Sequence, residues 1–305
     1  MTGTATTPAL YDVAHEARRW PAFRRNRLAV ASSVFLVAII AACVVAAAWS
    51  IPASNDQHLD DARTPPTWSQ PLGTDKLGRP LWARCLLGGL ISLGVGLAAA
   101  AISVIIGTGW GALAGLAGGR ADAAMMRLVD ILYGLPYILL VILIKFAFER
   151  RLEGVFGAAA ANVIILFLAI GAVSWLTMAR VVRGQVLSLK AQPFVEAARA
   201  AGVSGAGIFW RHLLPNLIGP ILVYATLTVP QAMLQESFLS FLGIGIHPPL
   251  PSWGNLAADG LEAINNVQSA WWLIVFPCTL LSATLLSLNF IGDGLRDAFD
   301  PSQSG

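Results

Sequence analysis

The stretch "FVEAARAAGVSGAGIFWRHLLPN", residues 194–216, separates two long apolar runs and carries Glu196, Arg199, Arg211 and His212. It reads as a short helix, a turn and a second short helix. Pro193 suits a first helical turn, where its missing N–H costs nothing, and Glu196 sits near the positive end of the helix dipole. Alanine has the highest helix propensity, and Gly202 fits a helix stop that needs a left-handed residue. "GVSGAG" then turns, and "IFWRHLLP" leads into the next apolar run. Small residues leave a smooth helix that a partner's groove can approach closely. Phe194, Phe209 and Trp210 are the side chains able to pack back on the membrane part.

The flanking sequence sets the class. The chain has 305 residues, 56% of them hydrophobic and 12% charged, with a mean hydropathy of +0.67. A soluble domain carries about 25% charged residues. Too little charge is present to coat a soluble globule, so the composition points to an all-α polytopic membrane protein. The net charge of +3 reads as a positive-inside bias, and no basic stripe interleaved with aromatics marks a nucleic-acid partner. Cys43, Cys85 and Cys278 are scattered, as are His15, His58, His212 and His247, so no metal site is expected.

A bilayer core about 30 Å thick needs about 20 apolar residues as helix. Six transmembrane helices are expected, over 28–49, 87–116, 129–148, 156–179, 217–242 and 270–291. The first follows the basic "RRWPAFRRNR" and exceeds a signal peptide's apolar region. It reads as an uncleaved anchor, with the small residues Ala46 to Ala48 leaving cleavage as the alternative. Pro136, Pro220, Pro230 and Pro277 lie in or near spans and introduce kinks. With the N-terminus inside, Arg18, Arg19, Arg24, Arg25, Arg27, Arg120, Arg127, Arg180, Arg183, Lys190, Arg199, Arg211 and Arg296 fall inside. Only Arg63, Lys76, Arg79, Arg84, Arg150 and Arg151 fall outside, and Lys145, late in the third span, is expected to snorkel outward. That asymmetry predicts N-in and C-in. The resulting layout is a cytoplasmic tail over 1–27, an anchor over 28–49, an extracytoplasmic loop over 50–86, a permease core over 87–291 and a cytoplasmic tail over 292–305. The core contains the cytoplasmic segment 180–216. The outer loops 50–86 and 243–269 are rich in Pro, Gly and Asp, which favours turns over long helices. No phosphate-binding loop appears, so no nucleotide site is expected on this chain.

The spacing in the opening stretch then becomes specific. Glu196, Ala197, Ala198, Gly202, His212, Leu214 and Pro215 match the EAA motif, and the chain resembles permease subunits of binding-protein-dependent ABC importers. An aliphatic residue usually stands where this sequence has His212. "GTDKLGRP" (73–80), "MRLVDILYGLP" (126–136), "ESFLSFLGIG" (236–245), "PPLPSWG" (248–254) and "NFIGDGLRDAFDP" (289–301) resemble the C-type permeases of dipeptide, oligopeptide and nickel importers. Pro80 departs from the usual Asp, and "LLGGLISL" lacks the usual basic residue before its serine. The resemblance implies a type I ABC importer permease fold with a cytoplasmic coupling helix. It implies a homologous second permease subunit, two ATP-binding subunits carrying ATP and Mg, and an extracytoplasmic peptide-binding protein. This chain would be a pore subunit without catalytic residues or a cofactor of its own. Peptide is the leading substrate class, with nickel or another small solute as the alternative.

Other residues carry weaker expectations. Gln231 and Gln235 share a helix face at i, i+4, and with Glu236 they are candidates for the translocation path, because an ionisable group in a span is costly unless it faces the bundle or water. Asp75, Arg79 and Trp253 are candidate contacts for the binding protein. Asp75 and Arg79 pairing with each other is the local alternative. Asp130 with Arg127 reads as an interfacial salt bridge. An intramembrane enzyme would need converging carboxylates, a Ser/Lys pair or a His cluster, and the spans hold only isolated ionisable groups. A scaffold anchoring a partner through 180–216 would explain that segment but not the outer loops.

Overall fold

The computed structural model describes residues 23–263 and 269–299, with backbone alone over 48–54. Arg18 and Arg19 of the first tail and residues 300–305 of the last lie outside the described residues. The described residues form helices joined by turns. The first helix, α1 (Arg27–Asn55), is capped by Asn26, whose Oδ1 accepts the Ala29 N–H at 3.1 Å. The outer loop follows, and α2 (Leu81–Ile102) passes through a π turn (Ser103–Gly107) into α3 (Thr108–Ala117). Then come α4 (Gly119–Tyr133), α5 (Tyr137–Phe156) and the 33-residue α6 (Ala158–Lys190). Beyond them lie α7 (Pro193–Ala200), α8 (Gly205–Ile208), a second π turn (Phe209–Leu213), α9 (Leu214–Phe241), α10 (Trp253–Ala263) and α11 (Trp272–Phe299).

Five helical stretches are long and apolar enough to cross a membrane, and a sixth crossing exists if α4 and α5 count as one broken span. Here the structure corrects the sequence reading. A single span over 129–148 is not formed, because α4 and α5 meet at 92°. Pro136 lacks an N–H and drives Leu135 out of helical backbone, so the chain turns there. Helical boundaries also shift: α1 extends to Asn55, α2 begins at Leu81, α6 continues through 180–190 and α11 continues through 292–299. The stretch 243–269, expected as an outer loop of turns, contains the 11-residue α10. Its buried Trp253, Leu256 and Ala263 supply the packing that composition does not show.

Small residues allow a close crossing of α3 and α6. Gly107, Gly111 and Gly115 recur every four residues and face α6 over Trp175, Met178, Ala179, Val182, Arg183 and Val186. A Cβ on Gly111 would lie 2.3 Å from the Ala179 carbonyl oxygen. Backbones approach this closely in membranes only across such small-residue stripes. Gly111→Leu is therefore expected to destabilise the chain by about 3 kcal/mol through overpacking. The measure is folded chain recovered from membranes and its melting point. Wild-type values would show that α3 and α6 are not packed this way.

The far end of α6 is tied to α3 and α4 by side-chain bonds. Arg183 forks onto Asp122 of α4 at 2.6 and 2.7 Å, and Lys190 donates to the Gly115 and Leu116 carbonyls at 2.8 and 3.0 Å. Lys190 thereby satisfies carbonyls that α3 leaves open at its C-terminus. Asp130 pairs with Arg180 at 2.8 Å rather than with Arg127, and the Arg180 guanidinium also lies 4.1 Å from the Tyr133 ring centre.

Candidate functional site

The segment with the EAA pattern follows α6. Gln192 begins α7 with Pro193 in its first turn, as the sequence predicts. Gly202 ends it with φ +80°. The Val203 N–H reaches the Ala198 carbonyl at 3.1 Å and the Gly202 N–H reaches that of Arg199 at 3.0 Å. These are the two bonds of a Schellman stop, and Val203 and Ala198 supply its apolar contact. Ser204 then caps α8, accepting the Gly207 N–H at 3.2 Å. The helix widens into the π turn before Pro215, which has no N–H to offer the preceding turn.

Burial divides this segment into a root and a face. Val195, Ile208, Leu213 and Leu217 are buried with Val182 and Val186 of α6 and Ala112 of α3. Glu196, Ala197, Arg199, Gly202 and Pro215 are exposed, and Ala198, His212 and Leu214 are partly buried. The His212 ring lies 6.4 Å from the Phe194 ring, so it packs on α7. Among the described residues Glu196 and Arg199 form no ion pair, and both lie on the open face. A buried root carries an open face of small and charged residues.

At the other end of the helices lies a cap. Asp75 accepts the Leu77 and Arg79 N–H groups at 2.9 Å each, and its second oxygen takes the Arg79 guanidinium at 2.7 Å. Arg84 adds a 3.4 Å contact to the same oxygen. Trp253 is wholly buried, its indole N–H bonded to the Cys85 carbonyl at 2.8 Å. Asp75, Arg79 and Trp253 thus hold the cap together, and none presents its side chain at the surface of the described chain. Lys76 joins the loop to α10 through Asp259 at 2.7 Å. That bond holds its ammonium above the usual lysine range.

The proposed path residues separate. Gln231 is exposed and Gln235 partly buried on one face of α9, while Glu236 is fully buried. Glu236 accepts the Ser92 hydroxyl at 2.9 Å and the Ser240 hydroxyl at 2.6 Å. It is packed inside this chain, with no exposed surface. Sequence reasoning missed the cluster of Lys145, Asn162 and His247 beside it. A lysine late in an apolar span was the available signal.

The comparisons agree with this architecture. Residues 107–305 match the model of the binding-protein-dependent transport system inner membrane component, and residues 16–66 that of the N-terminal TM domain of oligopeptide transport permease C. The chain is 46% identical over 288 residues to the oligopeptide transport system permease protein OppC of Escherichia coli K12, covering 94% of this chain and 90% of that one. It is 45% identical over 282 residues to OppC of Haemophilus influenzae, covering 92% and 86%. To the dipeptide transport system permease protein DppC of Bacillus subtilis it is 41% identical over 282 residues, covering 92% and 84%. The inward-facing MetNI methionine ABC transporter superposes with a TM-score of 0.57 at 19% identity, over 72% of this chain and 98% of that one, which shows the shared type I importer permease fold. With its helical core and these matches taken together, the chain belongs to the family of binding-protein-dependent transport system inner membrane components.

Proposed function

We propose that this chain is the permease subunit of an ATP-driven peptide importer. It forms half of the translocation pathway beside a homologous second permease. Two separate ATPase subunits bind ATP and Mg, and one receives α7 in a groove. The N- and C-termini lie in the cytoplasm, and the cap faces outward, where a loaded peptide-binding protein docks. ATP-driven closure of the ATPases moves the coupling helices, and the root of α7 carries that movement into α6 and α9. Hydrolysis resets the cycle. Exchange between inward- and outward-open forms needs no chemistry from this chain.

One observation carries the reading: α7 is rooted through Val195 yet leaves Glu196, Ala197 and Gly202 open beyond the end of α6. That is a docking face in the position the EAA pattern marks. The oligopeptide and dipeptide names of the relatives favour peptide over nickel. Growth on a dipeptide, then on a longer peptide, as sole source of a required amino acid tests it. Deletion of the chain in a strain without a redundant importer is expected to stop growth, and the wild-type chain to restore it. Normal growth after deletion on every peptide tried would remove the peptide reading.

A further inference from the structure

The turn that leaves α9, residues 243–247, is bonded at nearly every backbone group, in part by α9 itself and in part by three side chains from other elements. Gly243, with φ +76°, begins it. The Ile244 and Gly245 N–H groups reach the Leu239 carbonyl at 2.9 and 3.0 Å. The Ile246 N–H reaches the Ser240 hydroxyl at 3.0 Å, and the His247 N–H reaches Asn162 Oδ1 of α6 at 3.1 Å. The carbonyls face elsewhere. Lys145 of α5 donates to those of Ile244 at 2.7 Å and Gly245 at 3.3 Å. Asn255 of α10 donates to that of Ile246 at 3.2 Å.

Lys145 is 5% exposed, and its third close neighbour is His247 Nε2 at 3.0 Å. An ammonium has three donors and no lone pair. His247 must therefore accept, which requires a neutral ring with its proton on Nδ1. Among the described residues Glu149, one turn along α5, is the one carboxylate paired with the ammonium, at 3.7 Å. From α6 and α10 the facing groups are the neutral amides of Asn162 and Asn255. From α9, Glu236 lies behind Ser240, whose hydroxyl it accepts. The His247 ring is open to water, so protons reach it. Protonation would remove the acceptor and set two cations against each other.

We propose that Lys145 is a positioning residue for import: with Asn162 it fixes the turn after α9 against α5, and protonation of His247 loosens that hold. The inference rests on the importer reading above. Burial, and then the Lys145 charge, hold the His247 ring below the usual histidine value of 6.5. Its folded form is the neutral one. The hold is complete above that value and is lost as the pH falls through and below it.

The test uses the complete transporter with its binding protein in proteoliposomes, with peptide uptake measured from about pH 5 to pH 8 on the binding-protein side. Lys145→Met, which keeps length but not donors, is expected to lower uptake about tenfold at neutral pH, and Lys145→Arg to recover most of it. His247→Gln keeps an acceptor that cannot become cationic. It is expected to remove most of the acid fall seen in the wild type. An acid fall identical in His247→Gln and wild type, or no fall in the wild type, overturns the proposal. So does wild-type uptake in Lys145→Met at equal protein level. Failure of the wild type to import any peptide is a different result, and it overturns the importer reading on which this one stands.

Discussion

Glu196→Lys combined with Gly202→Asp is expected to abolish peptide import while the chain still inserts at its normal level. Neither side chain is part of the root. Glu196 is exposed, and a Cβ built on Gly202 meets nothing within 4 Å. The bundle therefore has no packing to lose. Asp at 202 places an L-residue at φ +80°, a local cost of about 1 kcal/mol. The larger effect falls on the partner. One substitution reverses a charge on the docking face and the other adds a carboxylate beside it, and mismatched charges across an interface cost several kcal/mol. Uptake should fall by about a hundredfold or more. Chain level in the membrane and ATPase co-purification, measured alongside uptake, separate a lost partner from a lost fold. Full import by the double variant would mean that the face of α7 does not carry the coupling.

The legibility of this chain divides by the range of the forces involved. The short helix α7 was readable because its signals are local: Pro193 starts it, Gly202 stops it and alanine fills it. Apolar length alone placed the spans to within a turn or two at most ends. The bend at Pro136 was visible as a kink, yet its 92° depends on how α4 and α5 pack against α6, which no hydropathy window contains. Asp130 met Arg180 rather than Arg127 for the same reason. Lys145 was read as reaching for the outer interface. It reaches instead for carbonyls 99 and 100 residues away. Trp253 and α10 sat in a stretch whose prolines and glycines read as turn. Burial against Cys85 and Ser92 made that stretch a helix. Each miss is a tertiary contact overriding a local preference.

Glu236→Leu is the second substitution expected to act strongly, and comparison with Glu236→Gln tells what the carboxyl does. Glu236 has no exposed surface and no cation paired with it among the described residues. Its partners are hydroxyls, and each hydroxyl holds something else. Ser92 of α2 also accepts the Trp253 N–H at 3.3 Å, and Ser240 also accepts the Ile246 N–H at 3.0 Å. One carboxyl therefore joins α2, α9, the start of α10 and the turn that Lys145 holds. Leucine fills the volume but leaves the serine hydroxyls without their acceptor, at about 1–3 kcal/mol for each orphaned group. A total of about 3 kcal/mol is expected, because the network stands or falls as a unit. Glutamine retains a carbonyl oxygen for one hydroxyl and an amide able to donate to another, so it should keep most of the stability and most of the import. Melting of the purified complex and uptake at matched protein level read the two effects separately. If glutamine fails as badly as leucine in uptake while melting normally, the negative charge itself matters, and Glu236 belongs to the transport path rather than to the frame that holds it.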